Sequence, residues 1–476
     1  MKRFAANVAS ATAGIFGSSV LGLAIQVAIA RAVGVEAFGL YGFGLAYVAL
    51  WQVMMDGGAG VLATREVRAA DPAVLRALIS LKPAMVIAGY LGLVAVAWLA
   101  GFEGDVKRVV AVLGVQSAGL ATMIFGLSIF RGHEEFGTES IFLMIQRVLF
   151  GLLVAVVLLG GGGVLGVSVA GAVSYALIAV AVFAWLGHRH DVRARLDADA
   201  LRTHGRALLR SIGPLLLADG LAQLHMRSGQ VILPFTSGLA EAGVYVVARR
   251  LVEGLSLLPG TFAMALFPRL VAAWRGQPER LPVRLRMGLR FTGSLAVAGL
   301  LGGLLWADEL VLVLFGARYA GSGPVFGVLI GALALMTINA VLVLGLIAVG
   351  RERAYAVCLA LAAVTSITGT LVLAPGLGAR GAAWAALSGD AALCAGCLIV
   401  LSRMVPGFVP VRQWLALAAA AGLALPAVWA IKQVSVVAAA AGTVVLLAAG
   451  FEAASPVGFR DLLFPRAGGA LDGTEA

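Results

Sequence analysis

Apolar residues occur along the chain in long continuous runs, which short polar segments separate. A helix needs about 20 apolar residues to cross the hydrocarbon core of a bilayer, and a window of that length predicts fourteen spans. The predicted spans are residues 5–30, 38–58, 81–101, 108–130, 139–160, 163–187, 211–235, 243–270, 288–315, 324–349, 354–375, 379–403, 411–431 and 434–452. The runs do not alternate between apolar and polar residues as membrane barrel strands do. The pattern therefore predicts an all-α polytopic membrane protein.

Polar residues inside two neighbouring spans recur at helical spacing. In the seventh predicted span, positions three or four residues apart carry Asp219, Gln223, Arg227 and Gln230. In the eighth, a repeat of four residues carries Tyr245, Arg249 and Glu253, with Arg250 beside Arg249. Residues at these spacings share one face of a helix. A polar face is unfavourable against lipid, so we expect both stripes to border a hydrated cavity between the two halves of the protein.

Other predicted spans carry isolated polar residues that could line the same cavity. The first span has Thr12, Ser19 and Gln26 at heptad spacing, and the second has Gln52 and Asp56. The fifth has Gln146 and Arg147 near its middle and Glu139 near its inner end, and the twelfth has Asp390. Charged side chains inside a bilayer are costly and usually functional.

The composition agrees with a membrane protein and excludes other classes. Hydrophobic residues make up 61% of the 476 residues, and only 12% are charged, whereas soluble domains are about one quarter charged. The net charge of +11 does not indicate a nucleic-acid partner, because the basic residues lie between apolar runs on alternate loops. Cys358, Cys394 and Cys397 lie within apolar runs and lack the additional ligand pair of a metal site, so we expect them to pack. No cofactor is predicted.

The distribution of basic residues predicts the orientation in the membrane. The segments 188–210 and 271–290 are rich in arginine, and both are short enough for the positive-inside rule to apply. We therefore expect both termini in the cytoplasm, a first helix that is retained and contact between the basic segments and anionic membrane lipids. Residues 453–476 are predicted to form a cytoplasmic tail.

A short repeat divides the chain into two similar halves. "GVEAFGLY" (residues 34–41) follows the first predicted span, and "GLAEAGVY" (residues 238–245) follows the seventh. Two parallel six-span repeats are an arrangement that secondary transporters use. We therefore predict an N-terminal lobe at 1–187, a basic cytoplasmic linker at 188–210 and a C-terminal lobe at 211–403. Two extra spans and the tail occupy 404–476.

Five segments carry a family resemblance that covers about residues 1–403. They are "ARAVGVEAFGLYGF", "DGGAGVLATREV", "GVYVVARRLVEGLSLLPGTFAMALFPRL", "LFGARYAGSGPVFGVL" and "LAPGLGARGAAWAAL". In this order they resemble the Wzx-type polysaccharide flippases of the multidrug/oligosaccharidyl-lipid/polysaccharide (MOP) exporter superfamily. The resemblance implies a two-lobed, V-shaped transporter of the bacterial inner membrane. Such a protein would move an undecaprenyl-diphosphate-linked oligosaccharide from the cytoplasmic to the outer leaflet by alternating access, and its partners could include other membrane proteins of polysaccharide assembly.

The chain departs from the family at one position. Proteins of this type often carry an acidic residue in the seventh helix, directly after an arginine and an apolar residue. Here "MRSGQVIL" places Gly229 at that position. A role assigned to that carboxylate cannot be transferred to this chain.

The arginines inside the spans are the candidates for holding the diphosphate, because a guanidinium matches the geometry of phosphate oxygens. They are Arg147, Arg227, Arg249 and Arg250, and the predicted hydrogen-bonding walls for the sugars add Gln26, Gln223, Gln230 and Tyr245. Structural alternatives remain open. Arg249 could be neutralised by Glu253 one turn away, Arg249 and Arg250 could extend to the membrane interface, and Arg147 could pair with Glu139.

The acidic residues within spans are candidates for ion or proton coupling, although pairing or capping is an alternative role for each. They are Asp56, Asp219, Glu253 and Asp390. His225 lies off the stripe of the seventh span, and we expect it to pack.

Motifs of enzymes are weak or missing. "GLGARG" (residues 376–381) matches a dinucleotide fingerprint but joins two apolar spans, whereas that motif requires a strand, a turn and a helix. "GGGG" (residues 160–163) lacks the lysine of a phosphate loop. We therefore predict a transporter. The alternatives are a lipid II flippase or a multidrug or metabolite cation antiporter of the same superfamily and, more remotely, a membrane glycan polymerase or ligase.

Overall fold

A computed structural model describes residues 2–69, 71–190 and 197–434, and these residues form helices joined by short turns. The α-helices of this part of the chain are α1 (Lys2–Val33), α2 (Val35–Asp56), α3 (Ala59–Ala69), α4 (Pro72–Leu99), α5 (Gly104–Gly132), α6 (Phe136–Leu159), α7 (Val164–His190), α8 (Ala198–Leu255), α9 (Leu257–Gly276), α10 (Leu281–Phe315), α11 (Ser322–Ala348), α12 (Glu352–Met404) and α13 (Val411–Val434). The prediction of an all-α membrane protein is confirmed.

Membrane-spanning length is common among these helices. Within the described residues, nine helical stretches are long and apolar enough to cross a bilayer. The first thirteen predicted spans all fall on helices, while the fourteenth, at 434–452, lies almost wholly outside the described residues. The predicted number of fourteen therefore stays a prediction.

In two pairs of predicted spans, the two helices meet at a kink of one non-helical residue. The seventh and eighth belong to α8, which is 58 residues long and has one non-helical residue, Gly238. The eleventh and twelfth belong to α12, where Gly378 is the non-helical residue. The predicted eighth span at 243–270 is wrong at its far end, since α8 ends at Leu255 and α9 begins at Leu257.

The two basic segments that were expected to be loops are largely helical where they are described. Helix α8 begins at Ala198, α9 continues to Gly276, and α10 begins at Leu281 after a 3₁₀ turn, Pro278–Arg280. A segment between two spans can be helical, because the bilayer limits the apolar length of a span and sets no limit on the helix. Alanine, leucine and arginine favour helix on either side of the membrane surface.

The described residues fall into two compact units, and each unit is built from three separate segments of the chain. The first contains the described part of residues 2–255 together with 308–326 and 359–389, and the second contains 256–307, 327–358 and 390–434. These units follow packing and not the repeat, so the predicted lobe boundaries stay a prediction. The core of the first unit includes Phe125, Ile129 and Phe130 of α5 and Leu186 of α7.

The repeated segments adopt the same backbone conformation. Gly34, between α1 and α2, has φ 84° and ψ 175°, and Gly238, within α8, has φ 89° and ψ 169°. Only glycine adopts such angles without strain. In the first unit, α2 packs against the part of α8 that follows Gly238. A Cβ built on Gly42 would lie 2.3 Å from a methyl carbon of Val246.

Hydrogen bonds tie these turns to later segments of the first unit. Arg31 donates to the carbonyl oxygens of Leu314 at 2.8 Å and Val313 at 2.5 Å. The Tyr319 hydroxyl donates to the Ala30 carbonyl at 2.8 Å. The amide of Ala379, next to the irregular Gly378 of α12, donates to Glu241 at 2.7 Å. The repeat turns are therefore fixed by polar contacts and by direct packing.

Candidate functional site

Three arginines of α8 surround one carboxylate, and we call Arg227, Arg249, Arg250 and Glu253 the arginine cluster. Arg227 Nη1 donates to Glu253 Oε1 at 2.9 Å, and Arg250 Nη1 donates to Glu253 Oε2 at 2.7 Å. Arg249 Nε lies 3.8 Å from Oε1, a distance that allows attraction between charges but is too long for a hydrogen bond. The predicted stripes of the seventh and eighth spans thus meet at Glu253.

The cluster is sheltered and carries excess positive charge. The exposed fraction of the side chain is 3% for Arg249, 17% for Arg250, 24% for Arg227 and 27% for Glu253. One carboxylate cannot neutralise three guanidinium groups. The Nε atoms of all three arginines are buried without a hydrogen-bond partner. The low exposure also shows that Arg249 does not extend to the membrane surface, so that alternative is wrong for this residue.

Residues from α1, α2 and α6 adjoin the cluster. A Cβ built on Gly22 of α1 would lie 3.7 Å from Arg147 Cζ, so the Arg147 guanidinium packs over this glycine. Tyr41 of α2 is 1% exposed, its hydroxyl lies near Gln26, and it is within electrostatic range of both Arg250 and Arg147. The structure therefore brings Arg147 and Gln26 toward the arginine cluster. Tyr41, which the sequence reading left out as a site residue, lies among them.

Arg147 does not pair with Glu139. Glu139 binds Arg131 of α5 instead, through Arg131 Nε at 3.2 Å and through Arg131 Nη2. No ion pair involving Arg147 is present among residues 2–69, 71–190 and 197–434. The positive charge of Arg147 is thus added to that of the cluster.

Tyr245 occupies the space beside Gly229. A Cβ built on Gly229 would lie 2.8 Å from the Tyr245 hydroxyl oxygen, and Tyr245 is 1% exposed. Gln230, the next residue, accepts a hydrogen bond from Arg227 at 3.2 Å, and its own amide nitrogen is buried without a partner. The phenol of Tyr245 therefore fills the space beside Gly229, and the charge of Arg227 is paired with Glu253.

A second polar group lies on α2, α4 and α8, further along the α8 stripe. Lys82 donates to Asp56 at 3.1 Å and to the carbonyl of Met55 at 2.9 Å, and is 3% exposed. Asp219 lies near Gln223 and is close enough to interact with the charge of Asp56. Asp56 thus has a structural partner, whereas the Asp219 side chain is exposed.

Lys82 is a buried charge that sequence analysis missed. It stands at the second position of the predicted span 81–101 and was not counted among the basic residues within spans. Helix α4 begins at Pro72, and Asp71 caps it by accepting from the amides of Ala73 and Val74. The signal that could have revealed Lys82 was this N-cap followed by proline, which starts the helix ten residues before the lysine.

Five further residues from the sequence analysis, Asp390, His225 and the three cysteines, lie outside the arginine cluster. Asp390 belongs to the second unit, where its backbone carbonyl accepts a hydrogen bond from Asn339 at 3.0 Å. His225 is buried, with its Nδ1 at 3.0 Å from the Ser366 hydroxyl. The cysteines are buried, and Cys358 lies near Cys397. Within the described residues, histidine, cysteine and acidic side chains form no group of three that could hold a metal ion.

Histidine and acidic side chains also meet outside the membrane-spanning segments. The rings of His133 and His190 stack with centroids 4.0 Å apart, and Glu135 accepts from Arg189 at 2.9 Å. Burial lowers the pKa of His133, and the neighbouring His190 lowers it further. Burial acts to raise the pKa of Glu135, but hydrogen bonds and charge from Arg189 and His190 outweigh burial and hold the pKa below its usual range.

Comparisons with known proteins identify a family and similar folds. A family described as polysaccharide biosynthesis protein matches residues 4–274. No curated protein sequence matches the chain. Among solved structures, the lipid II flippase MurJ in an inward closed conformation has a TM-score of 0.76 at 13% identity, covering 95% of this chain and 99% of that one. An inward-facing multidrug resistance MATE family transporter of the MOP superfamily has a TM-score of 0.67 at 15% identity, covering 82% and 95%.

A third similar structure is a MOP superfamily transporter from Pyrococcus furiosus, with a TM-score of 0.59 at 16% identity, covering 84% of this chain and 94% of that one. At such low identities the similarity shows the fold and not the substrate. The fold is therefore that of MOP transporters, which agrees with the resemblance found in the sequence. Since the family match covers more than half of the chain, the protein belongs to the polysaccharide biosynthesis protein family.

Proposed function

We propose that the protein moves an undecaprenyl-diphosphate-linked oligosaccharide from the cytoplasmic to the outer leaflet of the bacterial inner membrane by alternating access. Family membership and fold support a multi-pass MOP-type flippase or transporter. To this the proposal adds the identity of the substrate, the direction of transport and the bacterial inner membrane as the location. It also places both termini in the cytoplasm.

The observation that carries the proposal is the excess of arginine over carboxylate inside a membrane-spanning region. Arg227, Arg249 and Arg250 share Glu253 as their carboxylate, and Arg147 adds a fourth positive charge. A diphosphate diester carries about two negative charges and several acceptor oxygens, which arginine binds through paired hydrogen bonds. A site with this charge would repel an organic cation, which disfavours the antiporter alternative.

The polar residues of α8 are suited to bind the sugars of the substrate. Gln223 and Asp219 continue from the arginine cluster along the same helix face, and Gln230 has a buried, unpaired amide nitrogen. We assign Gln26, Gln223, Gln230 and Tyr245 to hydrogen bonding with the glycan. The apolar tail would remain in the bilayer. Asp56, Asp219, Glu253 and Asp390 remain the proposed positions for coupling to an ion or proton gradient.

Deletion of the gene, followed by leaflet-resolved analysis of lipid-linked sugars, tests the proposal. We expect lipid-linked oligosaccharide to accumulate on the cytoplasmic side. Accumulation of lipid II instead would favour the lipid II flippase alternative. Unchanged sidedness with shortened surface chains would point to a polymerase and contradict the proposal.

Single substitutions then test the site. Complementation with Arg227→Ala or Arg249→Ala, at normal protein levels, should reduce export by at least about tenfold, since each removes a charged contact worth about 2–5 kcal/mol. The matched control is Arg202→Ala. Arg202 is an exposed arginine of the same helix that lies 3.7 Å from the exposed Asp199, and its loss should leave export unchanged. Normal export by both cluster variants would reject the role of the arginines.

A further inference from the structure

Glu253 fills only part of the donor capacity of the arginines around it. Each guanidinium carries five N–H groups, yet the carboxylate takes one hydrogen bond from Arg227 and one from Arg250. Arg249 approaches no closer than 3.8 Å, and the three Nε atoms remain without a partner. The side chain of Arg249 is only 3% exposed. Unpartnered donors on a buried arginine indicate a site shaped for an anion with more oxygens than a carboxylate.

We propose that Glu253 is an internal counter-ion of the arginine cluster, which an incoming phosphate group displaces and which returns when that group leaves. The proposal rests on the function proposed above, because it assumes that the arginines receive an anionic headgroup. In this role, Glu253 sets how tightly the site binds the headgroup and how readily the headgroup is released. Under this proposal Glu253 positions the arginines only in the empty site and competes with the ligand.

The position of Glu253 on the helix permits this exchange. Glu253 lies three and four residues after Arg250 and Arg249, so all three side chains project from one face. Among the four side chains of the cluster, Glu253 has the largest exposed fraction, 27%, and Arg249 the smallest. Rotation about side-chain bonds can therefore move the carboxylate aside while the buried arginine stays fixed. No change in the backbone of α8 is required.

The energetics of an empty site explain why a counter-ion is needed. Removing an anion from three sheltered guanidinium groups leaves uncompensated positive charge, which is strongly unfavourable in a low-dielectric environment. A carboxylate that returns to the arginines compensates that charge and makes release easier. Without Glu253 the site would retain the anion, because Glu253 is the carboxylate that pairs with these arginines within the described part of the chain. We therefore expect the anion to bind more tightly and to dissociate more slowly when the carboxylate is removed.

A purely structural role for Glu253 predicts the opposite change in affinity for the anion. If the carboxylate served only to hold the arginines in place, its removal would disorder them and weaken binding. The direction of the affinity change thus separates the two roles. Glu253→Asp, which keeps the charge but shortens the side chain, should bind close to the wild type under our proposal.

Binding of undecaprenyl diphosphate to the full-length protein in nanodiscs tests the inference, with inorganic pyrophosphate as a second, water-soluble probe. Binding of both probes would identify the phosphates as the recognised group, and binding of the lipid alone would show that the tail is also required. We expect Glu253→Gln to bind the lipid about tenfold more tightly than the wild type, through slower dissociation, and to flip lipid-linked oligosaccharide more slowly in proteoliposomes. Asp199→Asn, an exposed acid of the same helix, is the matched control and should change neither quantity.

The outcomes separate the inference from the proposed function. If the wild type binds neither probe, the proposed function itself fails. If the wild type binds and Glu253→Gln binds equally or more weakly, only the counter-ion role is overturned. Should Glu253→Gln fold poorly, the pair Arg250→Gln and Arg250→Gln/Glu253→Gln provides the same comparison, because the double variant restores the cluster's charge. The double variant must then bind more tightly than Arg250→Gln alone, and equal or weaker binding rejects the inference.

Discussion

Gly39 and Gly243 each pack against the backbone of the segment that contains the other. A Cβ built on Gly39 would lie 2.0 Å from the carbonyl oxygen of Leu239, and one built on Gly243 would lie 2.1 Å from the carbonyl oxygen of Val35. Gly39 and Gly243 occupy equivalent places in the two copies of the repeat, and so do Val35 and Leu239. The contact is therefore reciprocal, as at an interface with two-fold symmetry.

Alanine at either glycine should destabilise the protein. A backbone oxygen cannot rotate away from an added methyl group, so Gly39→Ala and Gly243→Ala should each cost about 1–3 kcal/mol. Thermal unfolding in detergent should show a lower melting temperature for both. The control is Gly213→Ala in α8, where an added Cβ has no neighbour within 4 Å and alanine favours the helix. An unchanged melting temperature for Gly39→Ala would contradict the close approach.

An exchange of sizes at Gly42 and Val246 should restore stability that each single substitution removes. Gly42→Val would force two branched side chains into contact, and Val246→Gly would leave a gap and weaken the helix. The double variant recreates one large and one small residue at the same contact. We expect a favourable interaction energy of about 0.5–3 kcal/mol in a thermal double-mutant cycle. Additive losses would show that the two residues do not contact each other.

Replacement of Lys82 should expose the cost of an unpaired carboxylate. Lys82→Met removes the hydrogen bonds to Asp56 and to the Met55 carbonyl, and we expect a loss of about 1–3 kcal/mol. Asp56→Asn in the same background should recover part of that loss, because it removes the unpaired charge. Arg108→Met serves as control, since Arg108 and its partner Asp105 are both mostly exposed and such pairs contribute about 0–1 kcal/mol. Equal losses in Lys82→Met and Arg108→Met would argue against a structural role for Lys82.

The stacked histidines predict lower stability in acid. The pKa of His133 is lowered in the folded protein, so the unfolded chain binds more protons, and stability declines as the pH falls from about 6.5, the pKa of an unperturbed histidine, through the folded value. The lowered pKa of Glu135 adds a second decline at still lower pH, below the ordinary range of glutamate. Melting temperatures recorded between pH 7.5 and pH 5 should decrease in the wild type. His133→Asn should lose the upper part of this decrease, and an identical pH profile would disprove the assignment.

The helix faces of α8 could be predicted from sequence because the spacing alone fixes them. Residues three or four positions apart must share a face, and Arg227, Arg249 and Glu253 do converge. Pairing between helices could not be predicted in this way. Glu139 binds Arg131 and not Arg147, and the choice depends on how α5 and α6 pack.

Helix ends were the weakest part of the sequence reading. The glycine-containing text at 236–243 was interpreted as a break between spans, and Gly238 does form a kink there, although helix resumes directly on both sides of it. Lys82 was placed at the membrane edge because the apolar window began at Leu81, although the helix begins at Pro72. Hydropathy measures side chains, whereas caps and backbone angles decide where a helix starts and bends.

The contact between Gly42 and Val246 bears on how such a chain could have arisen. The two residues are equivalent in the repeat, so they face each other across the local axis of pseudo-symmetry. A dimer of two identical halves would have to place either two glycines there, with empty space between them, or two valines that collide. Only after both halves were joined in one gene could the two sides of the axis acquire different sizes. Covalent fusion thus permits a tightness of fit that separate, identical subunits could never reach at this point.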